Sequence, residues 1–424
     1  MPIREVQLPL KSLEQCAVCR KKSSELKLCS FCGEVTYCST ECQTGDWVKH
    51  KRICGKEQTD RISLDQFHPI LAVLAESNRL LPARPMHPAI TRQIINSPNP
   101  YVPEMTFPDG TSAKLVKLGK EIGLTVHPVL NTEWWPTALS DQVRGKLVRR
   151  FLREGHTLPL ISAVLVALLS EMYTSPDGNS SLRRTRLNYK SSPIADFGIA
   201  KGRATVTPQD MFAFWDTLTD RFWLGQDPND HYWIYFTTLK GEELVLDFGM
   251  FTFNNCTIIS AEPYIHPNAN MVPAPPSPCY FRNRSMARNA PTLHTETGRV
   301  SVLRNKNLHR FVEQELIVEC PHDCSILFDF MESFSSRPLT VEEKKLTEAW
   351  IFWNTKWLKC ILSTRHWVNW PAEPALAIEQ DPGEMAALDK WTPPKDMKKK
   401  RKSKKREYNK ETIGKVFNRW ENRV

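Results

Sequence analysis

The sequence predicts an α+β chain built in three parts: a small cysteine-rich finger, a mixed α+β domain with a β-hairpin at 231–253, and a disordered basic tail. Three observations predict this. Seven of the twelve cysteines fall within residues 16–54, in regular pairs. The long middle region alternates helical hydrophobic periods with runs of strand-forming residues. Lys398–Arg406 (KKKRKSKKR) carries eight positive charges, so subtracting them from the net +10 leaves 10 − 8 = +2 for everything else. The expected boundaries are 1–58, 59–380 and 381–424.

The finger comes first. Its pairs are Cys16-x2-Cys19, Cys29-x2-Cys32, Cys38-x3-Cys42 and His50-x3-Cys54. A tetrahedral Zn²⁺ takes four ligands from Cys thiolate and His imidazole, so eight such residues fill two closed sites. A site with no open coordination position holds structure and does not activate water. The x2 gaps suit tight knuckles, and the x3 gaps put a pair one helical turn apart. A disulfide framework fits poorly. The cysteine count here is odd, a histidine completes it, and residues 1–15 alternate polar and apolar without the form of a secretory signal. Thiolates held by zinc belong to a reducing compartment, cytosol or nucleus.

The segment Cys38-Ser39-Thr40-Glu41-Cys42-Gln43, preceded by Tyr37 and followed by Trp47, His50 and Cys54, resembles a MYND zinc finger. The resemblance implies a cross-brace, with Cys16, Cys19, Cys38 and Cys42 on one zinc and Cys29, Cys32, His50 and Cys54 on the other. Spacing by itself also allows a sequential arrangement. Fingers of this family are protein-interaction modules, and several bind short proline-containing peptides. The matching contact positions here are Ser30, Gln43 and Trp47. An indole face suits a proline ring and an amide suits extended backbone. Trp47 serves equally well as a core residue of so small a domain.

The chain has 41% apolar and 10% aromatic residues, the composition of a globular protein. Its longest apolar run, Leu158–Leu169, contains Pro159 and Ser162 and is far short of the ~20 residues that cross a bilayer, so no membrane partner is expected. Residues 61–81 have a helical period. Prolines from Pro82 to Pro108 then break up the chain, with short strands expected around the turn Pro108-Asp109-Gly110. Ser140-Asp141 caps a helix to about Arg153, and Gly155-His156-Thr157 separates it from an all-apolar core helix at 157–173. Residues 176–204 read as a long exposed loop. Thr207-Pro208-Gln209-Asp210 reads as the start of a helix. His231–Thr238, the turn Lys240-Gly241-Glu242 and Leu244–Phe253 form the hairpin. A proline-rich loop at 263–278 and strands near 299–304 and 315–319 follow. Thr340-Val-Glu-Glu343 caps a last long helix to about Leu362, with Trp350, Trp353, Trp357 and Ile361 on one stripe.

Two enzymatic resemblances touch the hairpin. Lys240-Gly241-Glu242-Glu243-Leu244 with Asp247-Phe248-Gly249 looks like the end of a SET methyltransferase motif. The Asn-His-Ser-Cys core of that motif is absent. His231-Tyr232-Trp233 with Asp247 is similar to the His and Asp of transglutaminase-like and papain-like folds, where the His is base to a Cys and the Asp orients the imidazole. The helix that would carry the Cys resembles 157–173. Gly155-His156-Thr157 stands in that place, and no Cys occurs between 55 and 255. No complete catalytic set is found. Cys320-Pro321-His322-Asp323-Cys324 is a weaker candidate for a further metal.

The functional expectation is a nuclear adaptor. Its finger recruits a protein partner, and its basic run serves as a localisation patch. Nucleic acid is expected only through that run, by contact with phosphates.

Overall fold

The computed structural model describes residues 5–8, 15–23, 25–29, 35–51, 54, 59–81, 84–123, 131–175, 184–267, 276–313 and 324–379. The basic run, the strand expected at 315–319, Cys320 and His322 lie outside the described residues.

The body is organised around the strand Ser192–Ala204. One edge pairs antiparallel along its length with His231–Thr238. The other edge is shared: Tyr189 and Asn188 pair at its start, and His294–Ser301 pairs along its second half. Outward from His231–Thr238 come Glu243–Asp247 and then Tyr280–Arg282. On the far side Arg184–Tyr189 takes Thr59–Ser63 as a parallel neighbour. The expected hairpin is therefore present, with its turn at Gly241, which sits at φ +76° where a side chain would be strained, but its second strand ends at Asp247 and Met250–Phe253, expected to continue it, is 3-10 helix.

The expected loop at 176–204 is overturned over its described part. Residues 184–204 contain the central strand, with Ile194, Phe197 and Ile199 fully buried. Polar residues and Gly198, Gly202 disguised it. Both glycines lie where a Cβ would meet the carbonyls of Val300 and Thr295 at 2.1 Å, so the tight approach of the neighbouring strand requires them. The helix expected from Thr207 is one turn of 3-10 geometry, Pro208–Asp210, and the chain then enters the strand Phe212–Asp216.

The core helix spans Thr157–Tyr173, as its apolar sequence predicts, and is buried at nearly every position. It packs between the sheet, Leu64–Arg79 and Val341–Ser363. In the last of these helices Trp350, Trp357 and Ile361 are buried and Trp353 is half-buried. Its start is the expected capping box: Thr340 accepts from the Glu343 N–H at 3.1 Å and Glu343 accepts from the Thr340 N–H at 2.9 Å. A second core joins Asp141–Phe151 to a smaller sheet through Trp134, Trp135, Phe151 and Phe214. Ser140 caps that helix by accepting from the Val143 N–H at 3.2 Å.

The finger is tied to the body on both sides. Glu5–Val6 pairs antiparallel with Thr174–Ser175 just past the core helix. Thr59–Ser63 joins the main sheet just after the finger.

Candidate metal centre and buried carboxylate site

In the finger, the short ribbon of Lys27–Leu28 and Thr36–Tyr37 leads into the helix Thr40–His50. Ser39 starts that helix by accepting from the Cys42 N–H at 3.3 Å. This puts Cys38 and Cys42 beside the first knuckle. The Cys19 and Cys38 sulfurs are 3.4 Å apart and those of Cys38 and Cys42 3.6 Å. A tetrahedron of sulfurs about 2.3 Å from Zn²⁺ has edges of about 3.8 Å. Cys16, Cys19, Cys38 and Cys42 form one such group, and Cys29, His50 and Cys54 a second, with 3.7 Å between Cys29 and Cys54. The pairing is thus the cross-brace and not the sequential arrangement. Cys32 lies outside the described residues.

The electrostatics of the first group call for a cation. Sulfur contacts, from Cys19 first, push the Cys38 thiol up to about 12. Burial opposes ionisation of Cys16, yet the N–H groups of Cys19, Cys38 and Val18 outweigh it and bring that thiol to about 6. The knuckle backbone is therefore arranged to stabilise thiolate, and four thiolates in one place need a metal to offset their repulsion. The chain holds two structural zinc sites, and zinc would supply the finger's folding energy and no reaction step.

Of the three sequence-predicted contact positions, Gln43 is half-buried and Trp47 is 38% exposed. They lie four residues apart on one helix face. Ser30 is outside the described residues. The core of the finger is built from Tyr37 and the ligands, with the Tyr37 hydroxyl donating to Asp46 at 2.7 Å. Trp47 lies outside this core, and its ring centroid is 6.0 Å from that of His50.

In the body, His231 opens its strand and Asp247 closes the next one, so the hairpin register brings them together. His231 Nε2 lies 2.6 Å from Asp247 Oδ2. Sequence reasoning missed a third member: His294 Nε2 lies 2.7 Å from the same oxygen. Only the pairing of His294–Ser301 across the central strand places it there, and nothing in its local sequence signals this. The Gly249 N–H donates to Asp247 Oδ1 at 2.6 Å. A side chain at Gly249 would meet His231 at 2.8 Å. Burial alone would raise the Asp247 carboxyl. Attraction to His231 and the hydrogen bonds from His231 and His294 outweigh it and hold the carboxyl well below the usual range. Burial lowers His294.

Among the described residues, no nucleophile hydrogen-bonds the other face of His231. Its Nδ1 faces Gln226 Nε2 at 3.4 Å, while Gln226 Oε1 accepts from the Gly155 N–H at 3.2 Å. Gly155 thus fixes the amide so that its NH2 group points at the ring, and the ring proton belongs on Nε2. Thr157 Oγ1 is buried without a hydrogen-bond partner among the described residues. His231, Asp247 and His294 are also close enough to be weighed as metal ligands. A ligating imidazole donates its second N–H to an acceptor. Here one Nδ1 faces an amide donor and the other, on His294, has no partner among the described residues. The donor set fits a carboxylate held by three N–H groups better than a metal. Trp233, Phe253 and Tyr280 pack their rings over the two imidazoles, and His231 is fully buried.

The family profile described as MYND finger matches residues 16–54. Hypoxia-inducible factor prolyl hydroxylase of Caenorhabditis elegans is 51% identical over 47 residues, 11% of this chain and 6% of that protein. Protein CBFA2T2 of Homo sapiens is 39% identical over 62 residues, 15% of this chain and 10% of its own length. SET domain-containing protein 14 of Caenorhabditis elegans is 34% identical over 65 residues, 15% of each chain. The chain thus spans no more than 15% of the length of these relatives. No solved structure matches the chain at a significant level. Residues 16–54 are a MYND finger, a zinc-binding interaction module. No described helix is long and apolar enough to cross a membrane.

Proposed function

We propose that this chain is an adaptor whose MYND finger takes short proline-containing peptides and whose basic run directs it to the nucleus. The observation that carries the reading is the exposed Trp47 indole one helical turn from Gln43, on a helix that two zinc sites hold in place. The indole offers a flat apolar face to a proline ring, and the Gln43 amide offers a donor and an acceptor to peptide backbone. Ser30 completes the contact set that the family resemblance implies. Lys398–Arg406 supports nuclear import, and phosphate contact by the same run is the route left to nucleic acid. The test compares a proline-containing peptide with its Pro→Ala version by calorimetry. Trp47→Ala should weaken binding of the first by about tenfold, an anchor worth ~1–2 kcal/mol, with both zincs retained. Unchanged binding moves the recognition surface elsewhere.

A second reading concerns the body. The His231–Asp247 pair, bridged through Gln226 to the N-terminal end of the core helix, favours a transglutaminase-like scaffold with Thr157 in the place of the nucleophile. On this reading the body supports the finger and performs no acyl transfer.

A further inference from the structure

The smaller sheet holds a proline-containing segment of the chain out to solvent. The Val102 N–H donates to the Asn99 carbonyl at 3.2 Å and closes a turn over Pro100 and Tyr101, with Tyr101 at φ +69°. This turn is clamped from below. The Asn99 amide donates to the Thr137 carbonyl at 2.8 Å and accepts from the Leu139 N–H at 3.0 Å. Gln209 Nε2 donates to the Val102 carbonyl at 2.7 Å. Downstream, Met105 and Thr106 pair with Ala113 and Ser112. Residues 102–104 thus run exposed between two fixed points. The ring of Pro103 fixes its own φ and crowds Val102 toward extended backbone. Tyr101, Val102 and Met105 expose large apolar side chains around it. Between Arg92 and Lys114 the sequence has two acidic residues, Glu104 and Asp109, and no basic one.

The finger carries the counterpart. Gln43, Trp47 and Lys51 recur every four residues, and the Lys51 N–H extends the helical pattern by donating to the Trp47 carbonyl at 2.8 Å. The three lie along one helix face as amide, indole and ammonium, with Trp47 and Lys51 exposed. Asp46, next to Trp47 in sequence, is engaged by the Tyr37 hydroxyl. Segment 102–104 offers a proline ring, extended backbone and a carboxylate in consecutive residues. The finger's tethers are Glu5–Val6 and Thr59–Ser63, the latter the end strand of the main sheet, whereas the segment belongs to the smaller sheet.

We propose that the finger of one copy of this chain binds segment 100–105 of a second copy, with Pro103 on the Trp47 indole and Glu104 beside Lys51. The proposal rests on the reading of the finger as a proline-peptide site and names its occupant. Opposite charge on stripe and segment supports it. So does the clamped turn, because a segment held in shape beforehand loses less conformational freedom on binding. The finger's tethers and the segment lie on different sheets, which favours a second copy over the same chain.

Sedimentation velocity of the full, zinc-loaded chain over a concentration series tests this. The wild type should associate as concentration rises. Pro103→Ala and Glu104→Lys should each weaken association by about tenfold, as loss of an interface anchor does. Glu104→Lys combined with Lys51→Glu restores the pair with its charges exchanged, and should recover most of the loss while both zincs remain. A chain that stays monomeric, an association that neither single substitution weakens, or a double variant that recovers nothing overturns the proposal. A fluorescent peptide of residues 100–107, titrated against the same chains and read by anisotropy, separates this proposal from the reading beneath it. Peptide binding that Trp47→Ala weakens, in a chain that stays monomeric, keeps the finger as a proline-peptide site and rejects the second copy as its occupant. A finger that binds neither this peptide nor any other proline-containing peptide removes both.

Discussion

His294 Nε2 lies 2.7 Å from Asp247 Oδ2, the same oxygen that His231 reaches at 2.6 Å. With the Gly249 N–H on Oδ1, one buried carboxylate ties three separate stretches of the chain to a single point. Arg79 adds a fourth by donating to the Phe248 carbonyl at 3.0 Å.

Asp247→Asn replaces an acceptor-only group with one that carries two N–H donors. Whichever way the amide lies, its NH2 group then faces an N–H, that of Gly249 or those of the two imidazoles, in a place water does not reach. The expected cost is about 3 kcal/mol, the range for breaking a buried charged hydrogen-bond network. Urea unfolding measures it, and a loss below about 1 kcal/mol would show that the node contributes little to stability.

Thr157→Cys tests the transglutaminase-like reading of the body. A thiol that reaches the His231 imidazole should ionise early, and alkylation by iodoacetamide should then proceed below pH 7. A thiol that stays inert until the protein is unfolded would mean that the helix start does not address His231 as a nucleophile would, and the reading fails.

Glu154 supplies a pH dependence. Burial raises its carboxyl from 4.5 to about 7, against smaller opposing effects of the Gln226 N–H, Arg150 and Arg84. The native state therefore binds the proton more tightly than the unfolded chain. Stability from this group is present below pH 4.5 and falls as pH rises to about 7. The loss is of order 3 kcal/mol at pH 8. Neighbouring His87 is lowered to about 4 by burial first, so its contribution runs the opposite way over part of the window. The difference between wild type and Glu154→Gln isolates the carboxyl. The variant should gain stability on the wild type from pH 5 to pH 8, and parallel curves would reject the assignment.

Cys38→Ser removes a ligand whose sulfur touches both Cys19 and Cys42. Zinc content measured by mass spectrometry should fall from two ions per chain to one. The body should keep its melting transition, because among the described residues none from 15–54 joins its main sheet or its two larger cores. Two zincs retained would mean that the ligand set is wrong.

The residues that interact locally were legible in the sequence. The finger's ligand rhythm, the all-apolar helix 157–173, the Thr340–Glu343 capping box and the hairpin 231–247 each depend on spacings within a few turns of chain, which a linear reading sees. The central strand was not legible. Gly198 and Gly202, which read as loop residues, are there because the strand His294–Ser301 passes where a Cβ on either would collide with its backbone. Likewise His231 and Asp247 announced themselves through the hairpin, while His294 and Gln226 did not. Their roles depend on which strands lie side by side and which turn meets a helix start, and those choices are made by burial across the whole sheet. Short-range chemistry was thus written in the sequence, and long-range pairing was decided only when the apolar faces packed.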